Sequence, residues 1–279
     1  MDGKGLALRI RAEVADEVRE LGGLGLATVL VGDDPASEIY IRLKHEAARE
    51  AGIVARDLRL ASQTTEEELL EQVEQLNQDD SIDGLLVQLP LPDHIDEARV
   101  IGAIAPIKDV DGLHPVNAAQ LYFGEPGHVG ATPLGIMALL EEYEVPVEGA
   151  RAVVVGRSEI VGKPAALLLL HANATVTVCH SRTRDLAAEA HEAEILVVAV
   201  GSAGVVGVDG VRPGATVIDV GMNRTDDGLT GDTDPAVAER AGLYTPVPGG
   251  VGPMTIAMLL KSTVRAARYR RNLLAFPGG

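Results

Sequence analysis

The chain has 279 residues, 46% of them hydrophobic, and carries 41 Asp plus Glu against 24 Lys plus Arg, a formal net charge of −17. That length and apolar content suffice for two modest domains with buried cores and exclude a chain disordered throughout. A single Cys, Cys179, excludes an intramolecular disulfide framework, and an acidic balance argues against a sequence-independent nucleic-acid binder, which needs a basic face.

In chain order the apolar pattern predicts a helix over 4–20, a strand over 26–31, a helix over 37–51, a strand over 53–60, a helix over 65–78 and a strand over 83–89. Residues 112–132 then break the rhythm with Gly, Pro and no clear period, which marks a domain junction. Beyond it come a helix over 133–144, a strand over 151–155, a helix over 162–172, a strand over 175–179, a helix over 184–191, strands over 194–200 and 215–220, and a last helix over 253–272. Continuous apolar strands alternating with helices predict an α/β fold: two domains whose parallel sheets are flanked by helices. The expected division is 1–118, joined by the returning C-terminal helix of 253–279, and 119–252. That last helix carries five basic and no acidic groups and is expected to dock on the acidic body. The start, MDGKGLALRI, lacks an apolar signal core, and no run reaches the ~18 apolar residues of a membrane span, so a cytoplasmic protein without membrane contact is expected. None of the seven His has a zinc-ligand spacing, and no metal is expected.

Only five of the basic residues are Lys: Lys4, Lys44, Lys108, Lys163 and Lys261. An acidic, Lys-poor and aromatic-poor chain suits concentrated salt, where self-repulsion is screened, and this predicts a halophilic source. Salt adaptation of that kind would leave Lys mainly where chemistry or ligand contact requires it.

In the second half, the strand RAVVV runs into GRSEIVGKP at 156–164 and then a helix. A Gly-rich turn there presents backbone N–H groups and a positive helix end to a phosphate. Gly156 and Gly162 fit the ends of the dinucleotide fingerprint, but with an extra residue between them and Ser158 where the second Gly would be. The following strand ends in His180, Ser181, Arg182 and Thr183 rather than in the acidic residue that takes a ribose 2′-hydroxyl. With Arg157 these groups suit a 2′-phosphate, favouring NADP over NAD; the competing reading is a solvated loop.

In the first half, Arg42 stands four residues from both Glu38 and Glu46, the pattern of an exposed ion-pair face. Lys44 instead has Tyr40, Ile41, Ala47 and Ala48 at three and four residues, so no acid on its own helix neutralises it. Such surroundings lower a Lys pKa and free the amine for proton transfer, unless the stem simply covers apolar surface. Ser37, Tyr40 and Lys44 share one helix face. Gln88 ends an apolar strand, where an amide can point at substrate, at Lys44, or merely cap an edge. In KDVDG at 108–112, Asp109 and Asp111 project to one side if the segment is extended, or are solvated carboxylates of a turn. The loop TPVPGGVGPMT at 245–255 precedes the last helix with Pro253 at its first position and offers another backbone-contact site.

Taken together, SEIYIRLK at 37–44, VQLPLP at 87–92, KDVDGLHPVN at 108–117, VVVGRSEIVGKP at 153–164 and TPVPGGVGPMT resemble the bifunctional methylenetetrahydrofolate dehydrogenase/cyclohydrolase family over nearly the whole chain. The resemblance implies a Rossmann-like NADP-binding second domain, an active site in the cleft between domains, and a homodimer in one-carbon folate metabolism, on the route to purine biosynthesis. It implies that Lys44 is the catalytic Lys, Tyr40 stacks on the aminobenzoyl part of folate, Gln88 supports the Lys and Asp111 anchors the pterin. It places Gly156, Arg157, Ser158, Gly162, Ser181, Arg182 and Met222 at NADP, the Met standing where the family usually has an aliphatic residue. Ser37, Pro248, Gly249, Gly250 and Thr255 fall on the substrate side. The implied reactions are NADP-dependent oxidation of 5,10-methylenetetrahydrofolate and hydrolysis of the methenyl product to 10-formyltetrahydrofolate. Two other readings of the same residues are an NADP oxidoreductase acting on a small hydroxy or keto acid, and a non-catalytic folate- or nucleotide-binding protein.

Overall fold

The computed structural model describes residues 1–33, 35–226 and 228–277, apart from the side chains of 35–40. The chain divides into two α/β units, one formed by Arg9–Val129 with Ile256–Gly279 and the other by Met1–Leu8 with Gly130–Thr255.

The first unit opens with α1 (Gly3–Leu21), which begins in the other unit, and continues through β1 (Leu24–Val31), α2 (Pro35–Glu50), β2 (Ile53–Leu60), α3 (Glu66–Gln78), β3 (Gly84–Val87), α4 (Glu97–Ala103) and α5 (Pro115–Tyr122). Its sheet is parallel with strand order β2-β1-β3, so β1 is central, and every residue of LGLATVLV is buried. An unbroken apolar run is what a strand covered on both faces requires. β2 lies at the edge, buried only at Ile53, with Val54, Arg56, Asp57 and Arg59 exposed. Charge on an exposed edge discourages pairing with other chains.

The helix α3 follows from TTEEE. Thr65 Oγ1 accepts from the Glu68 amide at 3.2 Å while Glu68 Oε2 accepts from the Thr65 amide at 2.9 Å, a reciprocal cap. Leu69, Val73 and Leu76, at helical spacing, bury against Ala27, Val29, Leu85 and Val87 of the sheet. Gly84 leaves room on the strand: a Cβ there would lie 2.7 Å from Val110 Cγ1 and 3.4 Å from Thr263 Cγ2.

The second unit contains α6 (Ala131–Glu142), β4 (Arg151–Val155), α7 (Gly162–His171), β5 (Thr175–Cys179), α8 (Leu186–His191), β6 (Ile195–Val198), β7 (Thr216–Asp219), the hairpin β8 (Asn223–Thr225) and β9 (Gly228–Thr230), α9 (Val237–Arg240) and β10 (Leu243–Tyr244). The helix α10 (Val251–Arg270) starts in it and ends in the first unit. The main sheet of this unit has five parallel strands in the order β10-β7-β6-β4-β5. The chain steps outward from β4 to β5 and then crosses back to β6 on the other side of β4, making the β4/β6 pair the topological switch point of a doubly wound sheet.

The seven expected strands and seven expected helices are all present. The structure adds α4 and α5, the latter inside the predicted junction, because helices of seven or eight residues span too few turns to show a period. α5 is set by local chemistry instead: His114 Nδ1 accepts from the Val116 amide at 3.0 Å and Pro115 occupies the first turn. The short hairpin β8–β9, α9 and β10 also carry no periodic signal. Pro253 is the third residue of α10 rather than the first, still within the turn whose N–H groups have no helical partner.

The basic end of α10 docks as charge predicts. Arg270 pairs with the buried Asp83 at 2.8 Å and with Asp80 at 3.1 Å, and Arg268 pairs with Glu17 at 2.8 Å. Among the described residues no helix is long and apolar enough to cross a membrane.

Candidate active site

Lys44 leaves α2 half-buried, and its Nζ donates to Gln88 Oε1 at 3.1 Å. Gln88 sits one residue past β3, where its main-chain N–H still bonds Val29 O at 2.8 Å and continues the ladder. Its side-chain Nε2 donates to Leu89 O at 2.8 Å, which fixes the amide so that its oxygen faces the Lys. Burial lowers the Lys44 pKa from the usual amine range, and the negative charge of Asp111 partly opposes that fall. The Asp111 carboxyl is in turn pushed up to about 6 by burial, with Lys44 pulling it down and Asp109 raising it further. The acid missing at three and four residues from Lys44 is thus supplied by a turn some 70 residues later in the chain. Arg42, by contrast, lies exposed at 4.0 Å from Glu46.

The KDVDG segment is a turn, not an extended strand, and its two carboxylates part company. Asp109 is buried and accepts from the His114 amide at 2.7 Å and from Asn117 Nδ2 at 2.9 Å. Asn117, fully buried, also donates to Pro106 O and accepts from the His128 amide, closing the segment on itself. Asp109 and Asn117 therefore hold the turn from which Asp111 faces Lys44. Sequence reading did not single out Asn117; its place in HPVN, two residues after the helix-starting Pro, was the available signal. Lys108 is not at a ligand site: its buried Nζ caps the end of α3, donating to Leu76 O at 3.0 Å and Asp79 O at 2.8 Å. Lys163 is exposed and paired with Glu159 at 2.9 Å. Scarcity of Lys was thus no guide to function at these two positions. The side chains of Ser37 and Tyr40 lie outside the described residues; their backbone belongs to α2.

In the other unit, Gly156 follows β4 at the switch point with φ +126°, and a Cβ there would collide with the carbonyl oxygen of Ala199, the residue after β6. Gly162 starts α7 where a Cβ would collide with the carbonyl of Gly156. These glycines let the turn fold tightly between the two central strands. Ser158 is exposed and turns inward on the helix start: its Oγ accepts from the amides of Val161 at 3.2 Å and Gly162 at 3.3 Å, and its carbonyl accepts from the Lys163 amide. Part of the expected phosphate cradle is therefore occupied by the turn's own serine. Arg157, Ser181 and Arg182 are exposed, and the loop carrying the last two is shaped by His180, whose amide donates to Thr183 Oγ1 and whose Nδ1 accepts from the Arg182 amide. Met222, just past β7, is 41% exposed, with its Cε near Gly252. Pro248, Gly249 and Gly250 precede α10; Gly249 O accepts from the Lys4 amide, and Thr255 Oγ1 shares a hydrogen bond with Thr132 Oγ1 at 2.9 Å.

A doubly wound sheet with a Gly turn at its switch point and no acid after the next strand defines a dinucleotide-binding unit, and the half-buried Lys44 of the first unit, with its lowered pKa, is a candidate functional group. Residues 1–111 match the catalytic domain of tetrahydrofolate dehydrogenase/cyclohydrolase and residues 130–271 its NAD(P)-binding domain. The bifunctional protein FolD of Halothermothrix orenii is 55% identical over 276 residues, covering 96% of this chain and 98% of its own. The crystal structure of FolD from Campylobacter jejuni superposes with a TM-score of 0.94 at 46% identity, covering 96% of this chain and 98% of that one. The Trypanosoma brucei enzyme, solved with NADP cofactor and inhibitor, gives 0.93 at 40% identity over 99% and 98%. The chain belongs to the tetrahydrofolate dehydrogenase/cyclohydrolase family.

Proposed function

We propose that the chain catalyses NADP-dependent oxidation of 5,10-methylenetetrahydrofolate to the methenyl cation and hydrolysis of that cation to 10-formyltetrahydrofolate, with Lys44 as general acid and base. The observation that carries the assignment of roles is the Lys44–Gln88 bond at 3.1 Å in a half-buried site that also holds Asp111. A lowered pKa gives Lys44 a neutral fraction with a lone pair able to accept a proton from water attacking the methenyl carbon, and the resulting ammonium returns it on ring opening. Gln88 engages one N–H of the amine and so orients the lone pair. Asp111, ionised above pH about 6, balances the ammonium and suits the donor-rich edge of a pterin. Tyr40 and Ser37, one and two turns before Lys44 on α2, are assigned to the folate side, Tyr40 stacking on the aminobenzoyl ring; Pro248, Gly249, Gly250 and Thr255 are assigned there too.

NADP supplies the hydride acceptor when bound. The turn at 156–162 fits such a group, since its glycines admit a backbone that any Cβ would block, and the exposed Arg157, Ser181 and Arg182 suit a 2′-phosphate. Met222 is assigned to the cofactor's apolar side. A homodimer is supported by β5, an outer strand of a parallel sheet that leaves Val178 41% exposed. The folate products suit one-carbon metabolism, to which we add purine biosynthesis as the route served and the cytoplasm as the compartment, and the acidic, Lys-poor composition supports a halophilic source.

The test is Lys44→Gln. Hydrolysis of methenyltetrahydrofolate should fall by at least about 100-fold, the usual worth of a positioned acid/base, while NADP binding persists and some dehydrogenase activity remains. Undiminished hydrolysis would remove Lys44 from the mechanism.

A further inference from the structure

Two buried carboxylates outside the matched site residues, Asp219 and Asp232, organise the segments beside the switch point. Asp232 is fully buried and accepts four hydrogen bonds. Three come from consecutive main-chain amides, Val200 and Gly201 to Oδ2 at 2.6 and 2.9 Å and Ser202 to Oδ1 at 2.9 Å, and the fourth from Asn223 Nδ2 at 2.8 Å. With Gly201 at φ +66°, successive N–H groups converge on one point, the backbone arrangement that binds anions. Here the anion is internal. Asp219 holds Asp232 in place: its Oδ1 accepts from the amides of Asp232 at 2.8 Å and Gly221 at 3.0 Å, and its Oδ2 from the amide and hydroxyl of Thr233 at 2.9 and 2.6 Å. A Cβ at Gly221 would collide with Asp232, and one at Gly231 with Asp219, so both carboxylates enter through positions without side chains.

The loop that Asp232 grips begins at Ala199, whose carbonyl is the atom packed against Gly156 of the phosphate turn. Fixing 200–202 therefore fixes one wall of the crevice at the carboxyl ends of β4 and β6, where doubly wound sheets bind dinucleotides. We infer that Asp232 is a positioning residue for the nicotinamide cofactor, holding the loop after β6 against Gly156 through three amides. This rests on the proposed NADP-dependent function. Asn in its place would satisfy one set of amides through its carbonyl oxygen and set an NH2 donor against the other.

The experiment uses the full chain and NADP. Asp232→Asn should raise both the Kd of NADP by titration and its KM by about ten-fold or more, as for a buried charge-assisted bond, with a smaller change in kcat and in the KM for the folate substrate. Asn223→Ala, which removes one of the four bonds to Asp232 together with the bond to Gly231 O and spares the three amides, should change NADP affinity much less. Unchanged NADP affinity in Asp232→Asn overturns the inference, as does an equal loss on the folate and NADP sides. Should the variant fail to fold, amide exchange on the unaltered protein decides: amides 200–202 must be protected before NADP is added, and exchange that slows only with NADP overturns it. Failure of the proposed function is separable, since a chain that binds NADP but oxidises no methylenetetrahydrofolate still reports the binding shift.

Discussion

Lys44 and Asp111 constrain each other through charge. Burial favours the neutral form of each, and their attraction favours the ion pair, so removing one moves the other in a predictable direction. In Asp111→Asn the attraction that partly supports the Lys44 cation is gone, and the Lys44 pKa falls further. On the proposed mechanism hydrolysis uses the neutral amine, and the limb of its pH–rate profile that rises with pH should move to lower pH in the variant. The unaltered enzyme should in addition lose folate affinity as pH drops through about 6, where Asp111 takes up its proton, and the variant should lack that step. Profiles of kcat and KM for methenyltetrahydrofolate hydrolysis check both; a rising limb displaced to higher pH would contradict the assignment. Of this pair, the lone Lys was legible in the chain from its apolar i±3 and i±4 neighbours. Its carboxylate partner was not chosen between Asp109 and Asp111 by spacing, because a turn rather than a strand carries them, and Asn117 and His114 claim Asp109.

Local rules account for most elements. Apolar runs became β1, β4 and β6, the TTEEE cap started α3, and the long strand-turn-helix around Gly156 was recognisable from its composition. What those rules did not supply was how the turn uses its own donors. Ser158 closes back on the start of α7, and Gly156 is demanded by β6, an element about 40 residues away in sequence. Gly156→Ala meets two penalties: a φ that L-residues rarely adopt and a collision with a backbone carbonyl that no rotamer change relieves. We expect a loss of about 2 kcal/mol or more in denaturant unfolding together with weakened NADP binding. Cyclohydrolase assayed without NADP should decline less than the dehydrogenase; an alanine variant with undisturbed stability and cofactor affinity would show that β6 yields.

The charge of the molecule is unevenly used. Arg268 and Arg270 at the basic end of α10 are paired with Glu17, Asp80 and Asp83 of their own unit, so these cations act locally and the rest of the surface carries nearly all of the net charge of −17. With a Debye length of about 3 Å in 1 M salt against about 10 Å at 0.1 M, like-charge repulsion on that surface weakens as salt rises. Thermal midpoints should therefore increase from dilute buffer to molar salt, and full stability in dilute buffer at pH 7 would count against salt adaptation. The chain's order of residues was enough to indicate two α/β halves, the dinucleotide turn and the Lys with no acid at three or four residues, because each depends on spacing within one segment or on one side chain among its near neighbours. The partner of that Lys, the burial of Asp109 and Lys108 as scaffold, and the grip of Asp232 on the loop after β6 came from folding, because each joins residues whose separation in sequence leaves no periodic trace. The buried charges carry the clearest division: composition counts them all alike, and only packing separates those that cap and brace, such as Lys108 and Asp109, from the Lys44–Asp111 pair.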